Sequence, residues 1–336
     1  MEINKIKSLA ERIIAGYRIT KDEALELANV SSVDELDTLA ECADHIKDAL
    51  VGNKVELCSI MSVKTGMCSE DCAYCSQSKS YDTPVKFIPL LPKEQITAAA
   101  QTAEENGALH FCYVTSGKGP EKQEFEEILE GIRLVKEKTK SIKRCASLGE
   151  LTLDQAMALK EAGVVRYNHN LDTSENYYPN IITSHTYRDR INTLKNLKVA
   201  GIETCCGGIM GMGESWEDRI DLAMTLSELD IDSIPINFLT PIKGTPLENV
   251  PPISEYDIIK SIALFRFILP NKILRYAGGR STNLTDTLQR KGLKSGINAM
   301  LIGNYLTTLN RSPNQDKVMI AELGLAPADK PLTNKA

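Results

Sequence analysis

No run of this 336-residue chain stays apolar for the roughly 20 positions that a bilayer crossing needs, so a membrane partner is not expected. The opening segment, MEINKIKSLAERIIAGYRIT, carries charge throughout. It lacks the unbroken apolar stretch and small-residue cleavage site of a secretory signal, and the expected location is the cytoplasm. Positive charge is not in excess. The formal balance is -6, which argues against nucleic acid as a partner, since phosphate binding wants a basic face. Low-complexity tracts and linkers are missing, and no pair of groups stands out for acid–base catalysis. What remains, 42% hydrophobic and 25% charged residues, is the composition of a globular protein able to bury a sizeable core.

Cysteine, by contrast, is plentiful. Nine occur, an odd number that cannot pair completely within one chain, and disulfides are rare in a reducing compartment. Metal or cluster ligation is the better reading. Cys42 and Cys58 have nothing around them to suggest more than burial and are read as buried core thiols.

The first 50 residues read as helices, with Leu and Ile at helical spacing through VSSVDELDTLAECADHIKDAL. Eight strand-like segments follow: ELCSIMSV, ALHFCYVTSG, IKRCASLG, VVRYNHNLD, ETCCGGIMG, SIPINFLTP, KILRYAGGR and NAMLIGNYLT. Helical stretches such as EFEEILEGIRLVKEKT lie between them, as in parallel βαβ units. The expectation is an α/β protein. A helical segment (1–50) would precede a (β/α)8 TIM-type barrel (51–323), complete or slightly open, and a C-terminal tail (324–336) would follow, its last segment ADKPLTNKA polar and expected to be mobile. A doubly wound sheet is the alternative. The barrel is preferred because polar residues fall late in many strands, whose C-terminal ends converge on one mouth in a barrel.

KTGMCSEDCAYCSQS places Cys68, Cys72 and Cys75 at C-x3-C-x2-C just after the first strand. Three thiolates on a short loop can hold three corners of a cubane, leaving one iron open to a small molecule. A zinc site is the competing reading, but structural zinc usually takes four protein ligands, and nothing near His45 or His110 marks either as the fourth. More cysteines fall in separate strands: Cys112 in HFCYVTSG, Cys145 in KRCASLG, Cys205 in ETCCGG. Singly each reads as a core residue; together they can face one interior volume. Arg275, in ILRYAGGR, would need anionic company if buried. In YNHNLDTS, alternation puts Asn168, Asn170 and Asp172 on one face and His169 on the other, where a structural role is expected. Asn170 can donate and accept hydrogen bonds, and Asp172 is an acceptor. GIMGMGE does not follow G-x-G-x-x-G and is not a dinucleotide fingerprint.

The C-x3-C-x2-C loop resembles that of the radical S-adenosylmethionine enzymes. The remaining segments, from about residue 5 to about residue 323, resemble the biotin synthase family within them. The resemblance implies a [4Fe-4S] cluster on Cys68, Cys72 and Cys75 with S-adenosylmethionine on its open iron. It implies an auxiliary [2Fe-2S] cluster held by Cys112, Cys145, Cys205 and Arg275. It places Tyr74 against adenine, Asp172 at the nucleoside, Arg190 at the cofactor carboxylate, and Asn170 and Asn237 at the substrate. The implied reaction is sulfur insertion into dethiobiotin. The implied partners are a flavodoxin- or ferredoxin-type electron donor and a second copy of the chain in a homodimer. Another radical enzyme on the same barrel, a mutase or a cluster maturase, would share the triplet but would not require the second set. A noncatalytic iron–sulfur carrier would need no nucleoside or ureido site.

The chain departs from the common pattern at CCGG, where Cys206 follows Cys205 directly. Strand parity turns Cys206 toward the helices. Gly207 and Gly208 could instead permit a bulge, making Cys206 a fourth thiolate of a larger auxiliary cluster.

Overall fold

The computed structural model describes residues 2–303 and 311–332. Three helices come first: α1 (Ile3–Ile14), α2 (Lys21–Ala28) and α3 (Val33–Leu50). Helix α1 buries Ile6, Leu9, Ala10 and Ile13, a stripe at helical spacing. Capping boxes start α2 (Thr20 with Glu23) and α3 (Ser32 with Glu35), satisfying backbone N–H groups that a helix start leaves open. Hydrogen bonds from the backbone of Ser32 and Ser31 hold the Glu35 carboxyl down to about 2. Helix α3 packs on α1 and on the long helix Glu255–Ile268, so the segment is fastened to the side of the barrel.

The barrel strands are β1 (Lys54–Lys64), β2 (His110–Thr115), β3 (Lys143–Ser147), β4 (Val164–Asn168), β5 (Glu203–Cys205), β6 (Gly208–Met210), β7 (Ser233–Phe238), β8 (Ile273–Tyr276) and β9 (Ala299–Leu301). Each is parallel to its neighbours, in the order β1-β2-β3-β4-β5-β7-β8-β9. Pairing of Glu56 with Ala299 and of Cys58 with Leu301 joins β9 to β1, so the barrel is closed. The predicted eighth strand extends into residues 304–307, which lie outside the described residues.

One predicted strand is two. ETCCGGIMG breaks between β5 and β6, yet both pieces pair with β7 at the same offset, Cys205 with Ser233 and Gly208 with Ile236. Gly207 sits at the break because a Cβ there would lie 1.9 Å from the Pro235 carbonyl oxygen. Only a residue without a side chain lets the two backbones approach so closely.

Residues 325–332 are docked rather than loose, while 333–336 lie outside the described residues. Strand β10 (Ala326–Pro327) pairs with the start of β1, and Leu325 and Ala328 are buried. The Ala328 amide donates to the Val55 carbonyl at 2.9 Å, and the Leu332 amide to Glu56 Oε2 at 3.1 Å. Polar composition misled here because an open barrel floor offers backbone acceptors and a buried carboxylate, which even a polar segment can satisfy.

Candidate active site

Along β1 every second residue, Glu56, Cys58 and Ile60, faces inward, as the pleat requires. Cys112 pairs with Cys145 and Cys145 with Arg166, so three neighbouring strands bring two thiols and a guanidinium to one level. Asn168 pairs with Cys205, and Pro235 with Arg275. A cavity of about 300 Å³ opens at the C-terminal ends of the strands. Cys68, Cys72, Cys75 and Tyr74 line it, as do Asn170, Asp172, Arg190 and Asn237, and Cys112, Cys145, Cys205 and Arg275.

The triplet loop is tied down by its backbone. The Cys68 amide donates to the Gln77 carbonyl, the Lys79 amide to the Cys68 carbonyl, and the Cys75 amide to the Cys72 carbonyl, each at 2.9 Å. Ser78 Oγ donates to the Glu70 carbonyl at 2.5 Å. Tetrahedral zinc would draw thiolates to about 3.8 Å from one another, from metal–sulfur bonds of about 2.3 Å. Among the described residues, one group of three Cys, His or acidic residues has ligand atoms within 4.8 Å of one another, and it is not this triplet. The three thiols are spread wider than a zinc ion allows, which suits the corners of a cubane. Burial pushes the Cys72 thiol up to about 12 and the Cys75 thiol to about 11, so bound iron must displace the protons.

Above the loop a polar chain is closed. Asp172 holds a left-handed backbone at φ 69°. Its Oδ2 accepts from the Tyr74 hydroxyl at 2.7 Å and pairs with Arg190 Nη2 at 3.1 Å. Arg190 also donates through Nε to the Tyr178 hydroxyl at 2.8 Å and through Nη1 to the Asn170 carbonyl at 2.6 Å. His185, 3.1 Å from Arg190 Nε, joins this chain to Glu70 at 2.5 Å. Asn170 Oδ1 accepts from the Gly207 amide at 3.1 Å. Asn237 donates to the Gly208 carbonyl at 3.0 Å and accepts from the Gly278 amide at 2.8 Å, which fixes its plane.

The barrel floor carries unbalanced charge. Glu56, fully buried, meets Arg166 Nη1 at 2.6 Å, Arg275 Nη2 at 2.8 Å and His110 Nδ1 at 3.4 Å through one oxygen. Burial raises its carboxyl, but Arg166 and Arg275 hold it well below the usual range. Burial, with Arg166 adding to it, pushes His110 down to about 3, so the ring is neutral. Two cations therefore share this carboxylate, with Glu203, 3.1 Å from Arg166 Nε, on the half-exposed rim. Arg275 Nε and Arg166 Nη2 are buried without a hydrogen-bond partner. Orphaned donors beside three thiols fit a group with anionic sulfur acceptors, and an iron–sulfur cluster is such a group.

Cys206 alone of the expected ligands does not line the cavity. It is fully buried in the apolar layer between strands and helices, and its amide donates to the Ser233 carbonyl at 2.9 Å. β5 ends at Cys205 and no bulge turns Cys206 inward.

Two readings of the sequence are corrected. His169 lines the cavity rather than facing the helices, because β4 ends at Asn168 and strict alternation stops there. Cys58 is buried but not among core residues alone. It lines the cavity, with its sulfur 3.6 Å from both Glu56 Oε1 and His110 Nδ1. Neither His45 nor His110 joins the triplet: His45 meets Glu11 on the outer helices, and His110 belongs to the floor. Sequence reasoning passed over Glu56 and Arg166. Parity held the signal, since Arg166 is in phase with Asn168 and Asn170, and Glu56 with Cys58.

Comparison with known proteins agrees in extent with this geometry. Residues 62–226 match the Radical SAM superfamily, and residues 235–326 match the Biotin and Thiamin Synthesis associated domain. The chain is 52% identical over 335 residues to a biotin synthase of Gloeothece citriformis, covering 97% of this chain and 92% of that one. It is 51% identical over 324 residues to a biotin synthase of Carboxydothermus hydrogenoformans, covering 96% and 99%. Among solved structures, methylornithine synthase superposes with a TM-score of 0.84 at 20% identity, covering 95% of this chain and 97% of that one. A maturase of the [FeFe]-hydrogenase also gives 0.84 at 20% identity, covering 98% and 76%. At that identity the structural likeness speaks for the barrel alone.

Proposed function

The chain belongs to the biotin synthase family, and we propose from that premise how its residues divide the work of inserting sulfur into dethiobiotin. It is a radical S-adenosylmethionine enzyme whose product is biotin. When bound, a [4Fe-4S] cluster with S-adenosylmethionine supplies the radical that removes hydrogen from unactivated carbons, and an auxiliary [2Fe-2S] cluster supplies the sulfur.

Cys68, Cys72 and Cys75 hold the first cluster on the loop after β1. Arg190 presents a guanidinium fork to the cofactor carboxylate, Asp172 meets the ribose, and the backbone at Tyr74 meets adenine. Asn170 and Asn237, with planes set by backbone hydrogen bonds, hold the ureido ring. Cys112, Cys145, Cys205 and Arg275 would hold the auxiliary cluster. Substrate held by these asparagines would sit in the cavity that both sets of thiols line, walled from water by the barrel. One observation carries this reading: twelve residues drawn from eight separate segments of sequence line a single cavity. A mutase or a maturase would not require thiols on β2, β3 and β5. The electron donor of this reading is a small flavodoxin- or ferredoxin-type protein, the assembly a homodimer and the compartment the cytoplasm. No helix among the described residues is long and apolar enough to cross a membrane.

The test is anaerobic incubation of iron- and sulfide-loaded protein with dethiobiotin, S-adenosylmethionine and a reductant. Biotin and 5′-deoxyadenosine are expected together. Cys68→Ala, Cys72→Ala and Cys75→Ala should abolish both. Cys112→Ala and Cys145→Ala should lose biotin and auxiliary iron while keeping the first cluster. Full iron in those two variants would overturn the auxiliary assignment.

A further inference from the structure

The ligand set proposed above leaves one thiol of the cavity without a task. Cys58 lies on β1, is 3% exposed, and lines the same cavity as Cys112, Cys145, Cys205 and Arg275. Its surroundings are unlike those of a core cysteine. Glu56 Oε1 and His110 Nδ1 are each 3.6 Å from its sulfur, and the three ligand atoms lie within 4.8 Å of one another. Burial pushes its thiol up to about 12, against the pull of Arg275. The strand of Cys58 is paired with β2, which carries Cys112, and β2 with β3, which carries Cys145.

A second observation points to a ligand beside it. Two buried donors on this floor have no partner: Arg275 Nε and Arg166 Nη2. Arg275 meanwhile leans on other groups, donating through Nη2 to Glu56 Oε1 at 2.8 Å and to Ser233 Oγ at 3.1 Å. A guanidinium held by a carboxylate and a hydroxyl is a weak competitor for iron, and a thiolate is a strong one.

We propose that Cys58 is a further iron ligand of the auxiliary site, sharing one coordination position with Arg275. Arg275 fills the position when it swings toward the thiols. Cys58 fills it when Arg275 stays on Glu56 and Ser233. Binding breaks the S–H bond of Cys58 and forms an Fe–S bond with no change of oxidation state, and the proton leaves through the cavity to water. The mononuclear alternative, a metal on Glu56, Cys58 and His110, is disfavoured because two arginines already occupy the carboxylate. This inference rests on the auxiliary-site reading, and its test separates the two.

Iron and sulfide content, Mössbauer spectra and resonance Raman spectra are measured for the parent, Cys112→Ala, Cys58→Ser, Arg275→Ala and the Cys58→Ser/Arg275→Ala pair. Far-ultraviolet circular dichroism and the [4Fe-4S] component of the Mössbauer spectrum of each report that the barrel and first cluster are intact. Arg275→Ala is expected to keep its auxiliary iron and to gain an Fe–S(thiolate) band absent from the parent. The pair should lose that band and about two irons per chain. If Cys112→Ala keeps all its iron, the auxiliary-site reading itself fails. If Cys112→Ala loses iron but Arg275→Ala and the pair give the same iron content and spectra, Cys58 is no ligand and this inference alone is overturned. Should the pair not fold, Arg275→Ala decides by itself, since a spectrum without the added thiolate band refutes the proposal.

Discussion

Glu56→Gln isolates the charge that holds the barrel floor. The substitution keeps the shape of the side chain and an oxygen acceptor but leaves Arg166 and Arg275, each under 5% exposed, without their shared carboxylate. Breaking a buried ion pair by removing one partner costs about 3–5 kcal/mol, because the remaining charge is stranded in low dielectric. Two stranded cations here, relieved in part by the Gln oxygen and by Glu203, argue for the same range. With an m-value of about 3 kcal/mol/M, the urea midpoint of cluster-free protein should fall by roughly 1 M or more with m unchanged. The pH dependence carries a sign. The folded carboxyl is depressed below its unfolded value, so its contribution is present above about pH 4.3 and lost as pH falls toward the folded value. Parent and variant should therefore converge in stability on acidification. Loading the auxiliary cluster should also narrow the gap, because anionic sulfur replaces part of the missing charge. A midpoint within about 0.2 M of the parent at pH 7 would refute the reasoning and mean that the arginines find water or other partners at little cost.

Cys206→Ala should leave auxiliary iron content and spectra unchanged and cost about 1 kcal/mol for the small void in the apolar layer; an altered cluster spectrum would put its sulfur at the iron. Gly207→Ala should destabilise by about 2–3 kcal/mol, read from chemical unfolding, because its Cβ cannot share space with the Pro235 carbonyl. Tyr74→Phe removes the hydroxyl that donates to Asp172 at 2.7 Å. It should weaken S-adenosylmethionine binding by about tenfold in calorimetry, consistent with a hydrogen bond to a charged group of about 1.5–3 kcal/mol. Unchanged affinity would mean that Arg190 alone positions Asp172.

Alternation and spacing made much of this protein legible from residues alone. Recurrent strand and helix patterns were enough for the barrel, because a parallel strand buried on both faces must read as an apolar run followed by a helix. The C-x3-C-x2-C loop was legible because its three ligands are local in sequence. Parity alone predicted the outward Cys206, since a strand side chain has only two faces to choose from. What the tertiary structure decided was everything that depends on closure and on where strands stop. Joining β9 to β1 is a pairing of residues about 240 apart, and no local pattern encodes it. The end of β4 at Asn168 turned His169 into the cavity, against the alternation. Cys58 looked like a core thiol because no ligand pattern marks it in the sequence. Its neighbours in space, His110 from β2 and Arg275 from β8, arrive only when the barrel closes. The tail looked loose because its composition is polar, yet its backbone amides find Val55 and Glu56 once the floor exists to receive them. Local chemistry is written in the order of residues, whereas burial and charge pairing belong to the closed barrel, because both depend on which distant groups displace water from each other.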